Sequence, residues 1–200
     1  MIRNNLKVIL AENNVRISKL ANDTGIARST ITALSENRSK GIQLDTMNTL
    51  CKYLQVTPSD LFVYAPIDIT PSVFDMRVIG YKKEATQDYN IKAMEIHCTL
   101  FLNFDTGIEK FSEEFNATGK YINDDYGKII FNFTAIDDTA TQLKAKSIID
   151  NLPTTLRNDV YQAIRETLSH ELDNFSKENE LIEWAQLLDL PTVNIEFLPW

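Results

Sequence analysis

The sequence predicts an all-α head of five short helices followed by an α+β body, an antiparallel sheet with helices on one face. Three observations predict it. Over residues 1–66 the apolar residues recur at helical spacing, in short runs broken by Gly, Asn and Pro. From about residue 73 to 134 they tend to alternate one by one, as on strands with one buried face. From 139 onward they return every three or four residues. Strands followed by helices imply helices packed on one face of an antiparallel sheet.

The head begins with Leu6, Ile9 and Leu10 at helical spacing, with Val8 flanking. This predicts a first helix over about residues 2–13, ending at Asn13-Asn14. A second helix is expected over about 17–24 and a third over about 28–36. Between them Gly25 marks a sharp bend, because glycine takes positive φ at least steric cost. Leu20, Ala21, Ile26, Ile31 and Leu34 lock the two helices together. The loop Asn37-Arg38-Ser39-Lys40-Gly41 carries two cations. A fourth helix follows, with Asp45 as its N-cap and an apolar stripe of Met47, Leu50, Cys51 and Leu54. Thr57-Pro58-Ser59-Asp60 starts a last short helix: Thr57 caps it, Pro58 suits the first position, and Asp60 faces the positive dipole end. Leu61 and Phe62 close the core.

Bulk properties set limits. The 200 residues suffice for one large or two small domains, and 44% hydrophobic content supports a real core. No apolar run approaches the roughly 18–20 residues of a membrane span. The start, Met1-Ile2-Arg3-Asn4-Asn5-Leu6, has no apolar signal segment. Cys51 and Cys98 lie far apart in differently patterned segments, so reduced thiols in a cytoplasmic chain are expected. The net charge is −8. It is uneven: residues 1–66 carry eight basic and five acidic side chains, hence +3, which leaves −11 for the remainder. That asymmetry suits a head that faces nucleic acid and a body that repels it.

The ordered pattern Leu20-Ala21, Thr24-Gly25-Ile26, Ser29-Thr30-Ile31, Leu34, then Leu50-Cys51-Lys52-Tyr53-Leu54 and Pro58-Ser59-Asp60-Leu61 resembles the lambda-repressor/Cro (XRE-like) type of helix-turn-helix domain. The resemblance covers the N-terminal third. It implies a lambda repressor-like head whose third helix enters the major groove of double-stranded DNA. Carried onto this sequence, base contacts fall on Arg28, Ser29, Thr32 and Ala33. Arg28 is a fork-shaped donor suited to guanine, and Thr32 or Ala33 suits a thymine methyl. Phosphate contacts fall on Lys19, Thr30, Asn37, Arg38 and Lys40. One departure stands out: Ala27 precedes the third helix where the family often has a Ser or Thr cap.

In the body, Pro66 and Pro71 frame a linker at 67–71, and a domain for dimerisation or effector binding is expected over 72–200. Val73 to Tyr81 reads as a strand and Lys82 to Asn90 as a polar loop. Met94, Ile96, Cys98, Leu100, Leu102 and Phe104 give the clearest strand. Asp105-Thr106-Gly107 reads as a hairpin turn. The strand over about 109–121 is weakly patterned, with Phe111 and Phe115 off simple alternation. A second turn at 123–127 leads to a strand with Ile129, Phe131 and Phe133. Helices are expected over about 139–151, around Leu156, Val160, Ile164, Leu168 and Leu172, and around Leu181–Leu188. Val193, Ile195 and Phe197 suggest a last strand.

The body carries no catalytic signature. His97 and Cys98 adjoin on a strand and point to opposite faces, and no metal-ligand spacing or glycine-rich phosphate loop occurs. Neither a small-residue cleavage dipeptide nor a Ser-Met-type nucleophile motif is present, which disfavours the self-cleaving domain many phage-type repressors carry. No catalytic residue, metal or cofactor is expected. The reading is a non-enzymatic, sequence-specific transcriptional regulator of a bacterium or phage, a homodimeric repressor on a palindromic operator. Its body holds the dimer or takes a small-molecule, peptide or protein effector. The alternative is an antitoxin-like or accessory protein whose acidic body binds a protein partner, with DNA binding as autoregulation.

Overall fold

A computed structural model describes residues 1–83, 91–122, 128–135 and 140–178. Two compact units partition the chain: Met1–Pro66 with Leu152–Leu156, and Ile67–Asn151 with Arg157–Trp200.

The first unit runs β1 (Ile2–Asn4), α1 (Leu6–Glu12), α2 (Ile17–Thr24), α3 (Arg28–Ser35), α4 (Leu44–Leu54), α5 (Pro58–Leu61) and β2 (Phe62–Tyr64). Each helix contributes to one core of Leu6, Ile9, Leu10, Leu20, Ile31, Leu34, Leu50, Leu54 and Leu61. Helix ends follow local chemistry. After α1, Asn14 takes a left-handed φ of 53°, and the Val15 and Asn14 N–H groups close onto the Leu10 and Ala11 carbonyls at 2.9 and 3.1 Å. This is a Schellman end, with asparagine in place of the commoner glycine. At α5 the Asp60 carboxylate accepts from the Thr57 N–H (2.7 Å) and the Thr57 hydroxyl (2.6 Å). Those bonds hold the Asp60 carboxyl below its ordinary range.

Two expectations are corrected here. The first helix does not begin at residue 2. Ile2–Asn4 instead pair antiparallel with Phe62–Tyr64, and α1 starts at Leu6. Three residues carry no readable period, and their partner lies about sixty positions away. Asp45 does not cap α4: Gln43 holds the N-cap position without a side-chain bond, and Asp45 lies in the first turn, where the helix dipole favours its charge.

In the second unit, β3 (Asp68–Lys83), β4 (Ile91–Asp105), β5 (Lys110–Ile122) and β6 (Lys128–Ala135) form an antiparallel meander in chain order. Residues 68–71, expected as linker, are strand and pair with Asp105 to Leu102. The strand also continues past Gly80, so Lys82 and Lys83 pair with Ala93 and Ile91 instead of opening a loop. Pro71 is tolerated because β3 lies at the edge of the described sheet, where a missing N–H costs least. A bulge between Phe74 and Arg77 places Asp75 at φ 52°.

One face of the sheet is buried through Ile69, Val73, Ile96, Cys98, Leu100, Leu102, Phe104, Phe115 and Ala117. Phe111 and Phe115 do alternate regularly. The residue between them, Glu113, is only 6% exposed and shares their face opposite Leu102, so a charged residue disguised the period. The Asp105–Glu109 turn closes as a hairpin around Gly107, at φ 78°.

The helices α6 (Ala140–Asp150) and α7 (Thr154–Glu178) follow. α6 is tied to β5: the Lys144 ammonium lies 4.2 Å from the Phe111 ring centroid, and Phe111 stacks on Phe104 at 4.7 Å. Leu156, Val160, Ile164, Leu168 and Leu172 of α7 are buried, as their four-residue spacing requires. The expected turn at 123–127, helix at 181–188 and strand at 193–197 lie outside the described residues.

Candidate nucleic-acid interface

α2, the turn and α3 are fixed by a few local bonds. Gly25 sits at φ 74°, and its N–H donates to the Ala21 carbonyl at 2.9 Å. The Thr24 hydroxyl donates to the Leu20 carbonyl at 2.6 Å and accepts from the Ile26 N–H at 3.3 Å, so one side chain satisfies both sides of the bend. Leu20 and Ile31 are wholly buried and set the two helices against the core.

That anchoring decides what α3 shows to solvent. With Ile31, Leu34 and Ser35 turned inward, Arg28, Ser29 and Thr30 are exposed and Thr32 and Ala33 are half-buried. All four residues expected to touch bases therefore share one short helix. Ser35 is buried but satisfied, its hydroxyl donating to the Thr32 carbonyl at 2.9 Å. The start of α3 has no side-chain cap, as Ala27 foretold. Its first-turn N–H groups are the partial positive charges that a phosphate oxygen satisfies. A cleft of ≈ 440 Å³ runs between Gly25, Ile26 and Ala27 of the turn, Thr30 of α3, and Gln43 and Thr46 at the start of α4.

The residues expected at phosphates are dispersed and differ in what holds them. Lys19 on α2 pairs with Asp23 at 2.8 Å, and the Tyr53 hydroxyl of α4 donates to the same carboxylate at 2.6 Å. The Lys19 bond, with that of Tyr53, lowers the Asp23 pKa, while Asp23 raises those of Lys19 and Tyr53. The Lys19–Asp23 pairing was visible in the sequence as an i,i+4 spacing; the Tyr53 contact, thirty residues away, was not. Arg38 bonds Glu36 two residues before it and stays 69% exposed. Lys40 is exposed in the loop before α4. Asn37 is already engaged: its carboxamide accepts from the Asn4 N–H at 2.6 Å and donates to the Asn4 carbonyl at 3.1 Å. Sequence reasoning missed Asn4, which meets Asn37 through its backbone alone.

The described residues of the body offer no comparable constellation. Cys98 lies on the buried sheet face and burial pushes its thiol pKa up to about 12, while His97 faces the other way beside Glu95 at 3.3 Å. Among the described residues no group of three or more His, Cys, Asp or Glu is placed to hold a metal. No described helix is long and apolar enough to cross a membrane.

Comparison with known proteins bears on the head. Residues 5–66 match the family of Cro/C1-type HTH DNA-binding domains. An uncharacterised HTH-type transcriptional regulator of Bacillus subtilis, YozG, is 30% identical over 60 residues, which is 30% of this chain and 71% of that protein. A crystal structure of a protein from Bacteroides fragilis proposed to bind DNA is 32% identical, covering 31% of this chain and 98% of that one, with a TM-score of 0.29.

Proposed function

We propose, from the premise that this chain belongs to the family of HTH-type DNA-binding transcriptional regulators through its Cro/C1-type head, that it is a sequence-specific repressor which binds a palindromic operator as a homodimer through α3. The observation that carries the reading is the solvent side of α3, where Arg28 and Ser29 are exposed and Thr32 and Ala33 half-buried, opposite a buried Ile31 and Leu34. Arg28 pairs with a guanine edge. Ser29, Thr32 and Ala33 are small enough to let the helix backbone approach the groove floor. Lys19, Thr30, Arg38 and Lys40 contact phosphates, joined by the uncapped first turn of α3. The +3 charge of residues 1–66 supplies the long-range attraction, and the −11 remainder disfavours any other DNA-facing surface. Two copies joined through the body would read two half-sites.

The test is selection of duplexes from a random pool by the full chain, repeated with Arg28→Ala. Enrichment of a palindrome is expected. Arg28→Ala should weaken binding to it by about 1–3 kcal/mol and relax preference at one base pair. A pool that stays random after selection overturns the reading. Equal weakening on selected and unrelated duplexes would make Arg28 a phosphate contact.

A further inference from the structure

We infer that Asn37 is a positioning residue for DNA recognition: it ties the end of α3 to the β1–β2 ribbon, so that the ribbon sets how α3 is held. The inference rests on the reading of α3 as the DNA-facing helix.

α3 ends in a Schellman turn with Asn37 at its left-handed position. Asn37 has φ 55°, its N–H donates to the Leu34 carbonyl at 3.0 Å, and the Arg38 N–H donates to the Ala33 carbonyl at 2.9 Å. Glycine takes that conformation at least cost, so the turn alone does not call for a carboxamide. The carboxamide has its own work. It accepts from the Asn4 N–H at 2.6 Å and donates to the Asn4 carbonyl at 3.1 Å, satisfying both backbone groups of one β1 residue as a neighbouring strand would. Thirty-three residues separate the partners.

Asn4 is a junction. It lies opposite Phe62 in the ribbon, and its side-chain Oδ1 accepts from the Leu6 N–H at 2.7 Å, starting α1. The next residue, Asn5, donates its N–H to the Leu61 carbonyl at 2.8 Å. At its other end the ribbon is closed by Met1 and Ala65. The Met1 ammonium donates to the Ala65 carbonyl at 2.7 Å, and the Ala65 N–H donates to the Met1 carbonyl at 2.9 Å. Pro66 follows directly. The strand pair that receives Asn37 is therefore the segment through which the chain leaves the head. Whatever opens that pair also releases the end of the recognition helix.

The test uses the full chain and two duplexes, the one it selects and an unrelated one. Asn37→Gly keeps the left-handed turn and deletes the clamp; removal of residues 1–4 deletes the partner and keeps Asn37. Asn37→Gly is expected to lower affinity for the selected duplex roughly five- to tenfold, the size of one or two net hydrogen bonds, while leaving the unrelated duplex unchanged. Removal of residues 1–4 should reproduce the loss, and combining the two should not deepen it. Equal loss on both duplexes would overturn the proposal in favour of a direct phosphate contact. No loss with Asn37→Gly would overturn it outright, as would a full effect of Asn37→Gly with none from the shortened chain. Should the shortened chain lose its cooperative melt, the ratio of the two affinities for Asn37→Gly decides alone. Failure of the wild-type chain to select any duplex would instead refute the reading of α3 on which this rests.

Discussion

Replacing Gly25 with alanine isolates the turn on which the head depends. Gly25 lies at φ 74°, and a β-carbon built there would meet nothing within 4 Å. The substitution thus makes no clash, and its cost is that of left-handed backbone for a residue with a side chain, roughly 1–2 kcal/mol. Alanine also restricts the unfolded chain, which offsets about 0.4–1 kcal/mol of that cost. The net expectation is a loss of about 1 kcal/mol, or about a fivefold shift in the opening equilibrium. Amide hydrogen exchange reads it locally. The N–H groups of Leu20 and Ile31 bond to the Arg16 and Ala27 carbonyls at 3.0 and 3.2 Å, one on either side of the turn. Both should exchange about fivefold faster in Gly25→Ala, and less so in Gly25→Asn, which tolerates the left-handed region better. Slower exchange, the result glycine-to-alanine gives inside a helix, would refute the assigned backbone conformation. A loss above roughly 3 kcal/mol would imply a steric clash and refute the open surroundings of the site.

Three further outcomes are expected. Leu50 is wholly buried in the core of the head, so Leu50→Ala should cost about 2–5 kcal/mol in urea unfolding followed by circular dichroism, against under about 0.5 kcal/mol for the exposed Lys52→Ala. Lys40→Ala should lower the slope of log affinity against log salt by about 0.9, as for one lost phosphate contact; an unchanged slope removes Lys40 from the interface. Cys98, with its thiol pushed up to about 12, has only about one molecule in ten thousand as thiolate at pH 8, so alkylation should take the half-buried Cys51 first and reach Cys98 only on unfolding.

Legibility in the sequence followed the range of the interactions involved. α2, the Gly25 bend and α3 were readable because every determinant lies within fifteen consecutive residues: the spacing of Leu20, Ile31 and Leu34 and one glycine that needs positive φ. β4 was readable from six alternating apolar residues, and α7 from leucine-like residues every fourth position. The β1–β2 ribbon was hidden because three-residue strands have no period and pair across the whole head. The start of β3 was hidden because Pro66 and Pro71 look like linker residues, and proline is compatible with a strand only where that strand borders the sheet. Glu113 obscured β5, since a charged residue on the buried face breaks the pattern that marks the strand. At the candidate interface, the exposure of Arg28 and Ser29 follows from helix periodicity alone. The engagement of Asn37 with Asn4, and of Lys19 with Asp23 and Tyr53, depends on how distant segments meet. A sequence therefore reports which cations exist better than which of them are free to act.

The border position of β3 in the described sheet has a consequence for aggregation. A strand at the rim of a sheet offers a row of backbone donors and acceptors that a second chain can zip onto, and long straight rims lead to fibres. β3 runs for 16 residues, long enough to be such a hazard. Pro71 deletes one donor from it, and the bulge at Asp75, with that residue left-handed and paired to Arg77 at 2.8 Å, breaks the straight run beyond Phe74. An incoming strand would lose its register within a few residues. Those interruptions, which made the segment hard to recognise as a strand at all, also guard this rim of the described sheet against open-ended stacking.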